Sequence, residues 1–190
     1  MTDTKELTVR PRTDADLPGC VEVLAGAQAA DRCPVDRPAD PESWLTPRGM
    51  TEAWVVLAGV DIVGHMSLTP PGPALASAAG LPEAHLVVVA RLFVSTRGRR
   101  RGVATLLPDR AIETGAARER TAVLEVETAG SAAIGLYERL GRRHVGTPTA
   151  DWTTADGRLA RMRGVRRTPD IRELLASSAF LMMHQSTLGE

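Results

Sequence analysis

The sequence predicts a mixed α/β protein of the α+β type, in which a single, mostly antiparallel sheet is flanked by helices. Its segments follow the order strand, helix, paired strands, long strand, helix, strand, helix and strands, which suits one sheet with helices on its faces. The first paired strands are separated by only three residues, as in an antiparallel hairpin. The 190 residues, 43% of them hydrophobic, suffice for one domain with a buried core.

The N-terminal region predicts a strand followed by a capped helix. Leu7–Pro11 has the pattern of a short strand, and Thr13 with Asp16 three positions later is typical of a helix start. The helix carries an apolar stripe formed by Leu17, Val21, Leu24 and Ala27. Cys20 lies on the same helical face, so we expect it to be a buried packing residue.

The next part of the chain alternates loops with apolar strands. Four prolines exclude regular structure throughout residues 31–50, which are predicted to be loop-rich and suited to wall a binding cleft. Glu52–Ala58 and residues 62–68 form the predicted hairpin. Residues 69–82, rich in Pro, Gly and Ala, are predicted to be an exposed loop. Residues 85–94 are almost continuously apolar, which predicts a central strand buried on both faces.

A helix is predicted to open at Gly102. The apolar residues that recur there at helical spacing are Val103, Leu106, Leu107 and Ala111. Pro108 interrupts this pattern, because inside a helix proline removes the bond to the carbonyl of Ala104 and costs about 3 kcal/mol. We therefore expect a kink or an early break at that point.

The following elements close the sheet. Thr121–Glu127 is predicted to be a strand and residues 131–140 a helix that ends at Gly141. Residues 144–153 and 159–165 are predicted to pair as a closing hairpin.

Residues 168–190 are predicted to form an extra C-terminal helix and tail, appended to a domain of residues 1–167. Thr168 followed by Pro169 is typical of a helix start, and an apolar side follows it. That side permits two arrangements, packing on the chain's own sheet or against a second copy in a homodimer.

Composition argues against a nucleic-acid or membrane partner. There are 23 basic and 23 acidic residues, and only 3% of residues are aromatic, so neither a polyanion-attracting field nor many stacking surfaces are present. The longest purely apolar run, residues 53–58, is far shorter than the roughly 20 residues of a membrane helix. The first residues lack a signal peptide's apolar stretch, so the expected location is the cytoplasm. Cys20 and Cys33 predict no disulfide framework, and no spacing of ligands predicts a metal site.

Residues 99–104 combine arginines and a glycine between a buried strand and a helix, a geometry that binds phosphate. The first helical turn offers unpaired N–H groups and the positive end of the helix dipole, while glycine allows close approach. A basic patch for nucleic acid and a merely solvated arginine loop are the alternatives. The segment has neither the lysine of a mononucleotide loop nor the three spaced glycines of a dinucleotide fingerprint.

This segment resembles the cofactor motif of the GNAT superfamily of N-acetyltransferases: Arg or Gln, two residues, Gly, one residue, then Gly or Ala. In this chain the motif reads Arg99, Arg100, Arg101, Gly102, Val103 and Ala104. The resemblance, which spans residues 55–165, implies a GNAT-like acyltransferase fold. It also implies acetyl-CoA as co-substrate, with its pyrophosphate held by these residues and Thr105.

Residues 124–147 resemble the family's next conserved region, in which a strand leads into a helix ending in Tyr, Glu, Arg, Leu and Gly. Here these residues are 137–141. Two positions depart from the pattern, since Gly130 replaces an Asn that commonly contacts the cofactor and Arg142 replaces a Phe. Ser131, beside Gly130, is assigned to the cofactor site.

The resemblance also implies catalytic roles. A bulge in the strand before the loop would free backbone N–H groups for the acyl carbonyl and the pantetheine arm at Leu92, Phe93 and Val94. Tyr137 corresponds to a tyrosine near the sulfur that acts as general acid; its alternative is a core residue. Glu127, acting through water, is assigned as the base, and His85 is a second candidate. His65 is interpreted as a packing residue.

Together these assignments predict transfer of an acetyl group from acetyl-CoA to a primary amine of a small molecule, by direct attack on the thioester. One alternative is acetylation of a protein lysine or N-terminus, which an open groove would favour. Another is a non-catalytic acyl-CoA binding module, which would keep the phosphate loop without an acid near the sulfur.

Overall fold

The computed structural model describes residues 6–31, 34, 37–127, 135, 137–139, 142–146, 149–153 and 159–167. Within them the strands are β1 (Leu7–Pro11), β2 (Glu52–Ala58), β3 (Asp61–Thr69), β4 (Leu86–Val94), β5 (Thr121–Glu127), β6 (Arg142–Gly146), β7 (Thr149–Thr153) and β8 (Leu159–Arg167). The helices are α1 (Leu17–Asp31), α2 (Pro41–Leu45), α3 (Pro73–Ala79) and α4 (Val103–Ala116). Residues 135 and 137–139 are also helical.

These strands form a sheet in the order β1-β2-β3-β4-β5-β8-β6, and β7 also pairs with β8. Among the described pairs all are antiparallel except β4 with β5. A parallel pair needs a crossover, which α4 supplies between β4 and β5. The predicted fold class, a mixed and mostly antiparallel sheet flanked by helices, is confirmed.

Both predicted hairpins have counterparts in the sheet. β2 pairs with β3, and Gly59, with a φ of 66°, lies in the turn that joins them. The predicted closing hairpin is divided, since β6 and β7 are separate strands that both pair with β8. The predicted C-terminal helix lies outside the described residues.

The start of α1 is fixed by a polar cluster around Asp16. Its carboxylate accepts hydrogen bonds from the Thr13 backbone N–H (2.7 Å) and hydroxyl (2.9 Å). Both oxygens also accept from Arg10, at 2.7 and 2.6 Å. The predicted helix start at Thr13 is confirmed, with a short 3-10 turn before α1. The Arg10 hydrogen bond is the main cause that holds the pKa of Asp16 well below its usual range.

Replacing Asp16 with asparagine is expected to destabilise the protein by about 1–3 kcal/mol at neutral pH, because charged hydrogen bonds are lost. The lowered pKa of Asp16 means that this stabilisation exists above about pH 4 and is lost as the pH falls below it. The difference in unfolding free energy between the two proteins should therefore shrink in acid. Urea unfolding over a pH series measures it, and a constant difference would contradict the assignment.

Alternate residues of β2 face two cores on opposite sides of the sheet. Trp54 and Val56 belong to the cluster that contains α4, whereas Val55 belongs to the cluster of α1 and α2. The α4 residues buried in the first cluster are Val103, Leu107 and Ala111. Cys20 is fully buried in the second, which confirms its packing role, and burial raises the pKa of its thiol to about 11.

The prediction of an exposed loop over residues 69–82 is wrong in its centre, where α3 forms. Pro73 stands in the first turn, where its missing N–H costs nothing. Gly80 ends the helix with a φ of 65°, and the N–H of Leu81 bonds the carbonyl of Ala76. Leu75 is buried against the sheet, so proline and glycine here mark helix ends.

The early break expected at Pro108 does not occur, since α4 continues through this residue to Ala116. Pro108 is itself buried, between the fully buried side chains of Leu107 and Ala111. Packing of this apolar face on the sheet outweighs the hydrogen bond that proline removes. No helix of the described residues is long and apolar enough to cross a membrane.

Candidate active site

The sheet opens between β4 and β5. Their parallel pairing runs from Leu86 opposite Thr121 to Val89 opposite Leu124. Beyond that point β4 stays paired with β3, while β5 continues along β8 as far as Glu127. The carboxyl ends of the two central strands therefore diverge, which leaves a cleft in the middle of the sheet.

A bulge shapes the β4 side of this cleft. His65 of β3 pairs with Phe93 and Ser67 pairs with Ala90, so two residues of β4 lie opposite Met66. One of the two is Arg91, whose φ of 53° is left-handed and unusual for a residue other than glycine. The bulge turns the backbone of the following residues relative to their neighbours in β3.

His65 supports the bulge from β3. Its Nδ1 lies 2.9 Å from the carbonyl oxygen of Arg91, and since a carbonyl only accepts, Nδ1 carries the hydrogen. Its Nε2 then accepts from Nη1 of Arg12, at 3.1 Å. The ring is fully buried and stacks on Phe93 with centroids 5.1 Å apart. Burial, aided by the charge of Arg12, lowers the pKa of His65 to about 4.

Acid should destabilise the protein through His65. With its pKa near 4 in the folded state, the imidazole stays neutral where the unfolded chain, with a pKa of about 6.5, takes up a proton. Stability should therefore fall between about pH 6.5 and pH 4, by at most about 3 kcal/mol.

The matched variant is His65→Asn, which retains a donor near Nδ1 and does not titrate. Between about pH 7 and pH 4 the wild type should lose unfolding free energy relative to this variant. Denaturant unfolding measures the loss, and parallel pH curves for the two proteins would rule out the neutral buried imidazole.

Two arginines fasten α2 beside the bulge. Arg12 donates from Nη1 to the carbonyl of Leu45 (2.8 Å) and from Nη2 to the hydroxyl of Thr46 (3.1 Å). Arg91 donates from Nε to the carbonyl of Trp44 (3.1 Å), and its guanidinium lies 4.1 Å from the centroid of the Trp44 ring. Carbonyls at a helix C-terminus lack partners within the helix, and these two guanidinium groups supply them.

The predicted phosphate loop leads from β4 into α4. Ser95 accepts a hydrogen bond from the N–H of Gly98 (3.1 Å), which tightens the first turn of the loop. Arg100 and Gly102 have positive φ values of 57° and 85°. Gly102 provides no side-chain cap for α4, so the helix start presents backbone N–H groups to an anion. The predicted opening of a helix at Gly102 is confirmed.

Glycines bring this loop close to β3. A Cβ atom on Gly64 would lie 2.6 Å from Cγ1 of Val103 in the first turn of α4. A Cβ atom on Gly98 would lie 2.8 Å from the carbonyl oxygen of Val63. Both contacts are shorter than packed side chains allow, so the position of the α4 start depends on these two glycines.

The structure describes some of the predicted catalytic and cofactor-binding residues outside the phosphate loop, but not all of them. Tyr137 is 5% exposed and belongs to the same buried cluster as Val89 and Leu124, the last paired residues before the cleft. Glu127 ends β5, but its side chain and Ser131 lie outside the described part. His85 is exposed in a turn before β4, at the opposite end from the cleft, so its candidacy as base is not supported.

Sequence reasoning did not identify Arg12, Trp44 or Arg91, and the pattern of the sequence gives no signal for the first two. Arg12 and Trp44 come from segments far apart in the chain, and only the fold brings them together. Arg91 does carry a signal, because it is the single charged residue within the apolar strand β4. A charge at such a position needs a partner or a ligand. Among the described residues, no group of His, Cys, Asp or Glu side chains is placed to hold a metal ion.

Comparison with known proteins agrees with this geometry. The GNAT acetyltransferase family matches residues 23–141, more than half of the chain. Comparison with curated proteins gives no match.

Solved structures share the fold at low sequence identity. Ribosomal-protein-S18-alanine N-acetyltransferase from Escherichia coli is 16% identical, with a TM-score of 0.61 over 87% of this chain and 97% of that one. NAA60 from Arabidopsis thaliana, in complex with a bisubstrate analogue, is 16% identical, with a TM-score of 0.64 over 87% and 100%. The protein yncA from Salmonella typhimurium, solved with its cofactor acetyl-CoA, is 18% identical, with a TM-score of 0.61 over 87% and 99%. With the family match covering both the cleft strands and the phosphate loop, the chain belongs to the GNAT family of acetyltransferases.

Proposed function

We propose that this enzyme transfers the acetyl group of acetyl-CoA to a primary amine of a small molecule, by direct attack of the amine on the thioester. The observation that carries the proposal is the divergence of β4 from β5 directly beside the uncapped start of α4. A phosphate site and an open strand edge then lie next to each other, as a long cofactor with a phosphate at one end and a thioester at the other requires.

The chain's own residues fit acetyl-CoA. The pyrophosphate would be held by the loop and first turn of α4, namely Arg99, Arg100, Arg101, Gly102, Val103, Ala104 and Thr105. Gly64 and Gly98 allow the close approach of backbone that this cradle needs. The backbone N–H groups of Leu92, Phe93 and Val94, along the bulged edge of β4, would bind the pantetheine arm and the acyl carbonyl. Ser131, which lies outside the described residues, would add a further contact to the cofactor.

Acetyl-CoA supplies the acyl group: a bond forms from the amine nitrogen to the carbonyl carbon, the carbon–sulfur bond breaks, the nitrogen loses a proton and the thiolate gains one. We assign the proton for the thiolate to the hydroxyl of Tyr137 and removal of the amine proton to Glu127, through water. The place of Tyr137 in the cluster beside Val89 and Leu124 supports its role.

The acceptor is proposed to be small because α2 and residues 46–50 are tied to the bulge by Arg12 and Arg91. These residues would form a fixed wall next to the proposed position of the acetyl group, and such a wall would restrict the access of large acceptors. Acetylation of a protein lysine or N-terminus is the second candidate, since family members that resemble this chain in fold include a ribosomal-protein-alanine acetyltransferase. Retention of the buried Tyr137 supports catalysis over a non-catalytic acyl-CoA binding module.

A panel assay tests the proposal. The purified chain is mixed with acetyl-CoA and single amines, thiol release is followed, and products are identified by mass spectrometry. Small amines should be acetylated at least tenfold more efficiently than peptides with free lysines or N-termini, in order-of-magnitude terms. Transfer to peptides alone would favour the second candidate, and acetyl-CoA binding without transfer would favour the binding module. A cytoplasmic location, residues 1–167 as one domain and a homodimer stay predictions.

A further inference from the structure

Two arginines, Arg12 and Arg91, lie between the bulge and α2, where the acceptor is proposed to bind. Neither has a carboxylate partner among the described residues. Arg10 nearby is paired with Asp16, but Arg12 and Arg91 bond to neutral groups. Arg12 uses its terminal nitrogens on a carbonyl, an imidazole and a hydroxyl. Arg91 uses only Nε, so its two terminal nitrogens, Nη1 and Nη2, have no hydrogen-bond acceptor among the described residues.

Arg91 is held in one orientation. The flat guanidinium lies over the Trp44 ring at 4.1 Å, and its Nε is fixed by the carbonyl of the same residue at 3.1 Å. The side chain is half-buried, and burial lowers its pKa, since the charged form has lost part of its hydration. A guanidinium that is fixed and partly dehydrated presents two parallel N–H donors, which match a carboxylate.

The position of Arg91 connects this donor pair to the acyl group. Arg91 is the bulge residue directly before Leu92, Phe93 and Val94, and its guanidinium lies over the Trp44 ring, whose centroid is 6.4 Å from that of Phe93. Phe93 packs with α1 and α2, whereas Leu92 and Val94 pack with the cluster of α4. The cofactor's phosphates, held at the start of α4, lie a pantetheine arm away from the thioester. Of the two proposed reactants, the acceptor is therefore the one whose anionic group would lie near Arg91.

We propose that Arg91 binds a carboxylate of the acceptor, which makes the substrate an amino acid or a similar amine with a carboxylate a few bonds from its nucleophilic nitrogen. Arg91 is then a specificity-determining residue. This inference rests on the proposed acetyl transfer to a small amine and names its substrate class.

The test pairs each α-amino acid with its α-amino amide as acceptor for the full chain. Wild type should prefer the acid of each preferred pair by at least about tenfold in kcat/KM. Arg91→Gln should lower kcat/KM for the acids by about 10²-fold and change it for the amides by less than about threefold. Arg91→Lys, which keeps the charge without the fork, should recover only part of the loss. The matched control is Arg110→Gln, because Arg110 is an exposed arginine that pairs with Glu113 on α4. This variant should leave kcat/KM unchanged for the acids and for the amides.

The outcomes separate this inference from the proposed function. Efficient acetylation of the amides with no preference for the acids would overturn the carboxylate site and leave acetyl transfer intact. Equal losses for acids and amides in Arg91→Gln would also overturn it, since Arg91 would then act on α2 or on a carboxylate of the chain itself. Dipeptides with a free N-terminus are tested as a third group of acceptors. A preference for them over amino acids would overturn the proposal that the substrate is a free amino acid. No transfer to any amine would overturn both proposals.

Discussion

Replacing Tyr137 with phenylalanine is expected to lower kcat by about 10²-fold or more, because the departing thiolate loses its proton donor. The ring is 5% exposed in the cluster beside the cleft, and phenylalanine keeps that packing. Affinity for acetyl-CoA should change by less than about threefold, since the hydroxyl acts on the sulfur only as the bond breaks. Steady-state kinetics and calorimetric titration with acetyl-CoA measure the two quantities.

The pH profile supplies a readout that a structural role of Tyr137 would not change. Loss of a general acid should remove the fall of kcat at alkaline pH that its ionisation causes in the wild type. If kcat and its pH dependence were both unchanged, Tyr137 would be a core residue and not the general acid. The variant is the least disruptive available, because it removes one oxygen atom from the only tyrosine in the chain.

Gly64→Ala is expected to weaken acetyl-CoA binding by at least about tenfold, since the added methyl displaces the first turn of α4. Its Cβ would lie 2.6 Å from Cγ1 of Val103, a buried β-branched side chain that cannot rotate away. Overpacking should also cost about 1–3 kcal/mol of stability. Titration with acetyl-CoA and denaturant unfolding measure the two effects.

A second substitution isolates the cause. Val103→Ala removes the methyl group that Gly64→Ala meets, so the double variant should regain affinity lost by the single one. Gly26→Ala is the matched control, because a Cβ there meets nothing within 4 Å and alanine favours the helix. Additive losses in the double variant would show that Gly64 acts on the cofactor site by another route.

The elements around the predicted cofactor site could be predicted because local chemistry determines them. The continuous apolar run of β4 predicted a buried strand, and helical spacing after Gly102 predicted α4 with its correct start. These signals are short in sequence and need no knowledge of distant contacts. The same reasoning failed at α3, where proline and glycine were interpreted as loop residues although they stand at the two ends of a helix.

The contacts that tie α2 to the bulge could not be predicted, because they join segments far apart in the chain. Arg12, His65 and Arg91 come from three different strand regions, and Trp44 comes from a proline-rich segment without periodicity. The early break expected at Pro108 was wrong for a related reason: the packing of Leu107 and Ala111 against the sheet, which sustains α4, is a tertiary effect. The low helix propensity of proline describes its local cost, but it does not include the burial of apolar side chains that outweighs this cost.

Hydrogen–deuterium exchange with and without acetyl-CoA tests most directly where the cofactor lies. The amides of residues 92–94 and 102–104 should exchange at least tenfold more slowly when acetyl-CoA is bound, as an order-of-magnitude expectation, because they become hydrogen-bond donors to it or are covered by it. Coenzyme A without the acetyl group should protect the second segment to the same extent and the first segment less. Protection confined to other parts of the sheet, or none at saturating acetyl-CoA, would contradict the placement of the cofactor between the β4 bulge and the start of α4.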